Sequence, residues 1–259
     1  MSAKPTILVT GASRGIGLAV VTILLRELNA NVVTLSRTRS PELLDLLNSA
    51  SESLVLVDGD VTDATAVENA VSLALERFSS LDGLVLNAGQ LEPLCRIGDD
   101  TSLEQWKQHF DVNFFSLVTA LKASLPALRR SSFGGRVVFV SSGAAVKGTA
   151  GWGNYNASKS AMNSLCRTLA EEEPDVTAIA LRPGMVNTSM QASLRQGGAA
   201  HMAPKDHAMF VAAHTDGKLL QVEAPGHVIA ALVVRAAKTL SGQFVSWDAP
   251  ECADYRATA

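Results

Sequence analysis

The sequence predicts a doubly wound α/β fold, a seven-stranded parallel sheet with helices on both faces. Three observations predict it. Short apolar runs alternate with longer helical patterns along the chain. Those runs are rich in Val, Leu and Ile without polar alternation, as expected where helices cover both faces of a parallel sheet. A glycine-rich turn follows the first run at once.

The candidate strands are Ile7–Val9, Val32–Leu35, Leu54–Val57, Leu84–Leu86, Val137–Val140, Thr177–Leu181 and Phe244–Val245. Each is too short for a helix and is bounded by turn residues. Between them, helical patterns fall near 16–27, 41–49, 63–77, 102–112, 114–131, 154–173 and 225–238. The repeated strand–helix–strand order is the doubly wound signature. No internal repeat or Pro/Gly-rich linker marks a boundary, so residues 1–259 are read as one domain. From Thr188 to about Lys218 the pattern weakens around Gly197, Gly198 and Pro204. So long a connection in a compact domain is read as a substrate lid at about 188–218.

Composition excludes several classes. The formal net charge is −3, and no Lys/Arg-rich block could track a nucleic-acid backbone or an anionic membrane. The longest apolar runs, Leu18–Leu25 and Val228–Val234, are too short to span a bilayer. No export signal is read in the first ten residues, and a cytoplasmic location is expected. Cys95, Cys166 and Cys252 lack metal or redox spacing, and Cys166 reads as a small core residue. The five histidines show no metal spacing and read as surface or packed residues; no metal is expected.

The turn Thr10-Gly11-Ala12-Ser13-Arg14-Gly15-Ile16-Gly17 sits between the first strand and the first helix. Gly11 permits the tight turn, Gly15 lets backbone approach a pyrophosphate, and Gly17 allows close helix packing. The N–H groups of Ser13 to Gly17 and the positive end of the helix dipole suit an anion. The context implies a Rossmann-type dinucleotide site.

With Asn87-Ala88-Gly89 after the fourth strand, this TGxxxGxG spacing resembles the short-chain dehydrogenase/reductase family over nearly the whole chain. The resemblance implies that Asn87, Ala88 and Gly89 support the sheet beside the cofactor, and that Asp60 and Val61 meet the adenine ring. It also implies that Pro183, Gly184, the backbone near Val186 and the Thr188 hydroxyl hold the nicotinamide. Family members usually pair through the helices carrying Asn113 and Tyr155, which implies a homodimer or homotetramer.

The choice of nicotinamide cofactor is read at the end of the second strand. An NAD site normally has Asp or Glu there; this chain has Ser36-Arg37, with Arg14 able to approach the same corner. Two guanidinium groups and no anion form a clamp for a 2′-phosphate, which favours NADP(H).

Tyr155 and Lys159 stand four residues apart in a helical stretch and so share a face. A neighbouring ammonium favours phenolate and brings a phenol toward working range. The strand before this helix ends in Ser141-Ser142, a hydroxyl placed to polarise a carbonyl. By resemblance to the family's tetrad, Ser142 orients the carbonyl and Tyr155 donates the proton in reduction. Lys159 lowers the tyrosine pKa and holds the ribose, and Asn113 keeps a relay water. The family pattern favours Ser142 over Ser141.

Gln90, Leu91, Ala144, Val146, Trp152, Met185 and Met190 are the candidate substrate wall, suited to a neutral apolar or aromatic ketone. Within the family, Glu172-Glu173-Pro174-Asp175-Val176, the run Asn187–Gln191 and the ending Ser241–Asp248 look like the sepiapterin reductase and benzil reductase branch. The expected activity is NADPH-dependent reduction of such a ketone, with vicinal diketones first and a pterin side chain second. The competing readings are an NADP-dependent alcohol or polyol dehydrogenase working oxidatively and a non-catalytic NADP(H)-binding regulatory protein.

Overall fold

The computed structural model describes residues 4–257; the first three and last two residues of the predicted unit 1–259 lie outside it. Seven strands form one parallel sheet: β1 Thr6–Thr10, β2 Asn31–Ser36, β3 Leu54–Asp58, β4 Gly83–Leu86, β5 Arg136–Val140, β6 Thr177–Arg182 and β7 Phe244–Ser246. Their spatial order is β3-β2-β1-β4-β5-β6-β7. The chain works outward from β1 to β3 and then returns to lay β4 against β1. That reversal opens a crevice at the carboxyl ends of β1 and β4, where doubly wound sheets bind ligands.

Nine helices occur among the described residues: α1 Gly15–Arg26, α2 Pro41–Ser49, α3 Ala64–Phe78, α4 Leu103–Phe110, α5 Ser116–Leu128, α6 Gly153–Glu172, α7 Ser189–Gly197, α8 Pro204–Thr215 and α9 Glu223–Arg235. Alternate strand residues feed two cores. Ile7, Val9, Val32, Val138 and Ile179 pack under α1, α2 and α9, while Leu8, Val33, Leu84, Val137 and Phe139 pack under α3, α5 and α6. A smaller cluster of Leu91, Ala144, Trp152, Tyr155, Leu194 and Met202 sits above the sheet's carboxyl edge.

Two expectations are corrected. The predicted helices 102–112 and 114–131 are joined: α4 runs through a π-helical turn, Asp111–Phe115, into α5. The stretch 188–218 is not irregular but mostly helical, made of α7, a 3₁₀ turn at Gly198–Ala200 and α8. Pro204 occupies the first turn of α8, where its missing N–H costs nothing, so it starts a helix rather than breaking one. Among the described residues no helix is long and apolar enough to cross a membrane, and no group of His, Cys, Asp or Glu could hold a metal.

Candidate active site

A cleft of about 1050 Å³ runs along the carboxyl edge of the sheet, from the glycine turn to the smaller cluster. Of the predicted residues, Gly11, Ser13, Arg14, Gly15, Ile16, Arg37, Asp60, Val61, Asn87, Ala88, Gly89, Ser142, Tyr155, Lys159, Pro183, Gly184, Val186 and Thr188 line it. Gly17 and Asn113 are not on its wall.

Gly17 acts from below. A Cβ there would lie 2.3 Å from the Gly11 carbonyl oxygen and 2.6 Å from the Asn87 amide nitrogen, so only glycine lets α1 start this close to the turn. The Asn87 side chain donates to the carbonyls of Thr10 and Gly11 at 3.0 Å each, and the Thr10 hydroxyl accepts the N–H groups of Asn87 and Ala88 at 3.1 Å. These bonds stitch the end of β4 to the glycine turn. Arg14 precedes α1 in extended backbone without a side-chain cap, which leaves the first-turn N–H groups free to meet an anion in the cleft. The glycine cradle and these uncapped donors fit the pyrophosphate of a dinucleotide.

The corner beyond the turn is less simply cationic than expected. Arg37 Nη1 lies 3.8 Å from the Asp60 carboxylate, and Arg39 donates to Asp58 at 2.9 Å. The expectation of a corner without an anion is therefore corrected, because β3 delivers Asp58 and Asp60 beside β2. Ser36, read as part of the polar corner, spends its hydroxyl accepting the Ala12 N–H at 2.9 Å. Thr38, passed over in the sequence, lies across the corner with its hydroxyl 3.4 Å from that of Ser13.

At the other end, β5 runs into a 3₁₀ turn, Gly143–Val146, with Ser142 at its start. Ser160 of α6 donates to the Ala145 carbonyl at 2.7 Å, fixing this turn against the helix that carries Tyr155 and Lys159. The two serines at the end of β5 have different partners. Both line the cleft, but Ser141 is buried and donates to Asn163 at 2.6 Å, whereas the Ser142 hydroxyl accepts the Ala144 N–H at 3.2 Å and meets the Tyr155 phenol.

Tyr155 and Lys159 do share a face, the Lys159 Nζ lying 5.7 Å from the phenol ring centre. Both are buried, Tyr155 at 7% and Lys159 at 4% exposure. Burial pushes the Lys159 amine down to about 8, and the ammonium donates to the Val140 carbonyl at 2.9 Å. Burial also raises the Tyr155 phenol above its ordinary value, the Ser142 hydroxyl pulling the other way. Desolvation disfavours the phenolate, and the Ser142 hydroxyl is the group that opposes it. A phenol of this kind keeps its proton and can donate it.

Asn113 is fully buried beneath the cleft. Its Oδ1 accepts the Gln90 N–H at 2.9 Å, and its Nδ2 donates to the Gln90 carbonyl at 2.8 Å. The side chain thus holds the loop after β4. The π turn lets Asn113 reach that loop, an example of a π-bulge placed at a site. His109, read only as a surface or packed residue, lies 2.9 Å from the same Nδ2. Its spacing one helical turn before Asn113 was the available signal.

Ala144, Val146, Trp152, Met185 and Met190 all line the cleft as expected, joined by Leu194, Met209 and Phe210 from α7 and α8. Trp152 stacks on Phe210 at 5.4 Å and meets Tyr155 edge-on at 5.7 Å. A wall of this kind offers an aromatic face for packing next to the phenol.

The family model described as short chain dehydrogenase matches residues 5–199. An uncharacterised oxidoreductase of Schizosaccharomyces pombe is 39% identical over 95% of this chain and 97% of that relative. A Saccharomyces cerevisiae benzil reductase forming (S)-benzoin is 38% identical over 93% of this chain and 95% of its own. The crystal structure of a Saccharomyces cerevisiae short-chain dehydrogenase/reductase, 35% identical, superposes with a TM-score of 0.92 over 98% of this chain and 100% of that one. Turn, sheet order and matches agree: the chain belongs to the short-chain dehydrogenase/reductase family, oxidoreductases that use nicotinamide cofactors.

Proposed function

We propose that this protein is an NADPH-dependent carbonyl reductase acting on apolar aromatic ketones, vicinal diketones foremost. The observation that carries the reading is the meeting of Ser142, Tyr155 and Lys159 at one end of the cleft, directly beside the Trp152–Phe210 wall. The glycine turn, Arg14, Arg37, Asp60, Val61 and the Asn87–Gly89 segment would hold the nucleotide, with Pro183, Gly184, Val186 and Thr188 around the nicotinamide. Bound there, NADPH supplies the hydride that reaches the carbonyl carbon.

Ser142 orients the carbonyl by donating to its oxygen, and the neutral Tyr155 phenol gives that oxygen its proton. Lys159, protonated below about pH 8, stabilises the phenolate left behind. The aromatic wall excludes water and sets a ring of the substrate against Tyr155. Arg14 and Arg37 favour NADPH through a 2′-phosphate, although Asp60 competes for Arg37. The similarity to a benzil reductase supports diphenyl diketones as the substrate class. We propose further that residues 1–259 act as one domain and work as a homo-oligomer in the cytoplasm.

Initial rates of NADPH and NADH oxidation should be measured with benzil, quinones, aldehydes, pterins and steroids. The expected result is turnover of benzil with NADPH above all other pairs. Turnover confined to NADP⁺ and polyols would overturn the reading.

A further inference from the structure

His109 of α4 is fully buried beneath the cleft. Its Nδ1 lies 2.7 Å from the Glu92 carbonyl oxygen, which can only accept, so Nδ1 carries the proton and Nε2 is the acceptor. Nε2 lies 2.9 Å from Asn113 Nδ2 and 3.2 Å from the Ser158 hydroxyl. The Asn113 amide is thereby complete: Oδ1 receives Gln90 N–H, and Nδ2 gives one hydrogen to the Gln90 carbonyl and one to His109. Ser158 in turn donates to the backbone carbonyl of Tyr155 at 2.9 Å, and the Tyr155 ring meets the imidazole edge-on at 6.2 Å.

We propose that His109, as the neutral Nδ1–H tautomer, is a positioning residue for proton transfer, joining the loop at Gln90–Glu92, the π turn at Asn113 and the Tyr155 segment of α6 into one hydrogen-bonded seat. The inference rests on the reading of Tyr155 as proton donor. A ring protonated on both nitrogens would set Nε2–H against the amino group of Asn113, leaving it only the Ser158 hydroxyl oxygen at 3.2 Å to donate to and breaking the link to Asn113. The hydrogen bond that ties Asn113 to the ring therefore exists only with the uncharged imidazole.

The charged groups facing the imidazole are Lys159 from α6 and Glu92 from the loop after β4; Tyr155 is the other titratable neighbour. Burial holds His109 below the ordinary histidine range, the hydrogen bond to Glu92 opposes this, and Lys159 adds to the lowering. The seat stays intact at neutral pH and opens as the pH falls through that depressed value.

The test compares His109→Leu and His109→Gln with wild type, and with Tyr155→Phe in parallel. The glutamine amide oxygen can stand where Nε2 does and accept from Asn113, but it does not titrate. H109L is expected to lower kcat about 10-fold or more, with the KM for NADPH and nucleotide affinity by tryptophan quenching changed less than about twofold. H109Q is expected to keep kcat within about threefold of wild type and to lose the acid-side fall of kcat.

Wild-type kcat in H109L, or an unchanged acid limb in H109Q, overturns the proposal. If H109L does not fold, the pH profile of H109Q decides alone. Full turnover by Y155F removes the reading of the phenol and this proposal together. An inert Y155F beside an unimpaired H109L refutes only the role of His109.

Discussion

Two adjacent hydroxyls, Ser141 and Ser142, end the same strand, yet they meet different surroundings. Ser141 donates to buried Asn163, so Ser141→Ala leaves an amide oxygen unpaired and should cost about 1–3 kcal/mol of stability with little loss of kcat per folded molecule. Ser142→Ala should do the reverse, lowering kcat while the melting temperature holds; thermal melts beside initial rates would check the pair, and swapped results would contradict the assignment. Side-chain direction after a strand end depends on where the chain turns next, and the sequence does not display this. Tyr155 and Lys159 were legible because helical spacing alone places them together, but their burial was not, and burial decides the direction of both pKa values. Lys159 falls from 10.5 to about 8. Between those values the unfolded chain binds a proton that the folded chain has lost, so this group's contribution to stability rises with pH across that window. Wild-type kcat should fall above about pH 8 as the ammonium is lost, while stability relative to Lys159→Met shifts in favour of wild type. A kcat that stays level to pH 10.5 would rule out a catalytic ammonium.

The elements show where pattern reading works and where it stops. The strands were legible nearly to the residue because they are buried on both faces and admit few polar side chains. The π turn at Asp111–Phe115 was not, since it adds a residue to a helix without ending it, and the pattern looked like two helices. α8 was missed for another reason. Ala213 is its one fully buried residue among those described, so it carries no apolar stripe to read. Its contribution lies instead in Phe210, stacked on Trp152. Phe210→Ala removes that stack, worth about 0.5–1.5 kcal/mol, and should raise the KM for a diaryl ketone up to about 10-fold. The KM for a small aliphatic aldehyde should change little. Equal changes for both substrates would mean that the ring only supports the helix.

At the scale of the molecule, sheet order does what no single motif does. The return of β4 to β1 opens the crevice for the glycine turn, and β5 and β6 continue the same edge to the serine, tyrosine and lysine. One cleft thus has a polar, glycine-lined end and an aromatic end, with the Tyr155 phenol beside the aromatic wall. This division was legible from the order of motifs along the chain. The ion pair between Arg37 and Asp60 was not, because it joins two strands whose neighbouring ends appear only on folding. The central claim is that the Tyr155 phenol supplies the proton in this cleft. The most direct test is kcat for NADPH-dependent benzil reduction by Tyr155→Phe, with nucleotide affinity measured on the same preparation. The account predicts a fall of about 10²- to 10⁴-fold in kcat with affinity unchanged; turnover near wild type in a variant that binds NADPH normally would contradict it.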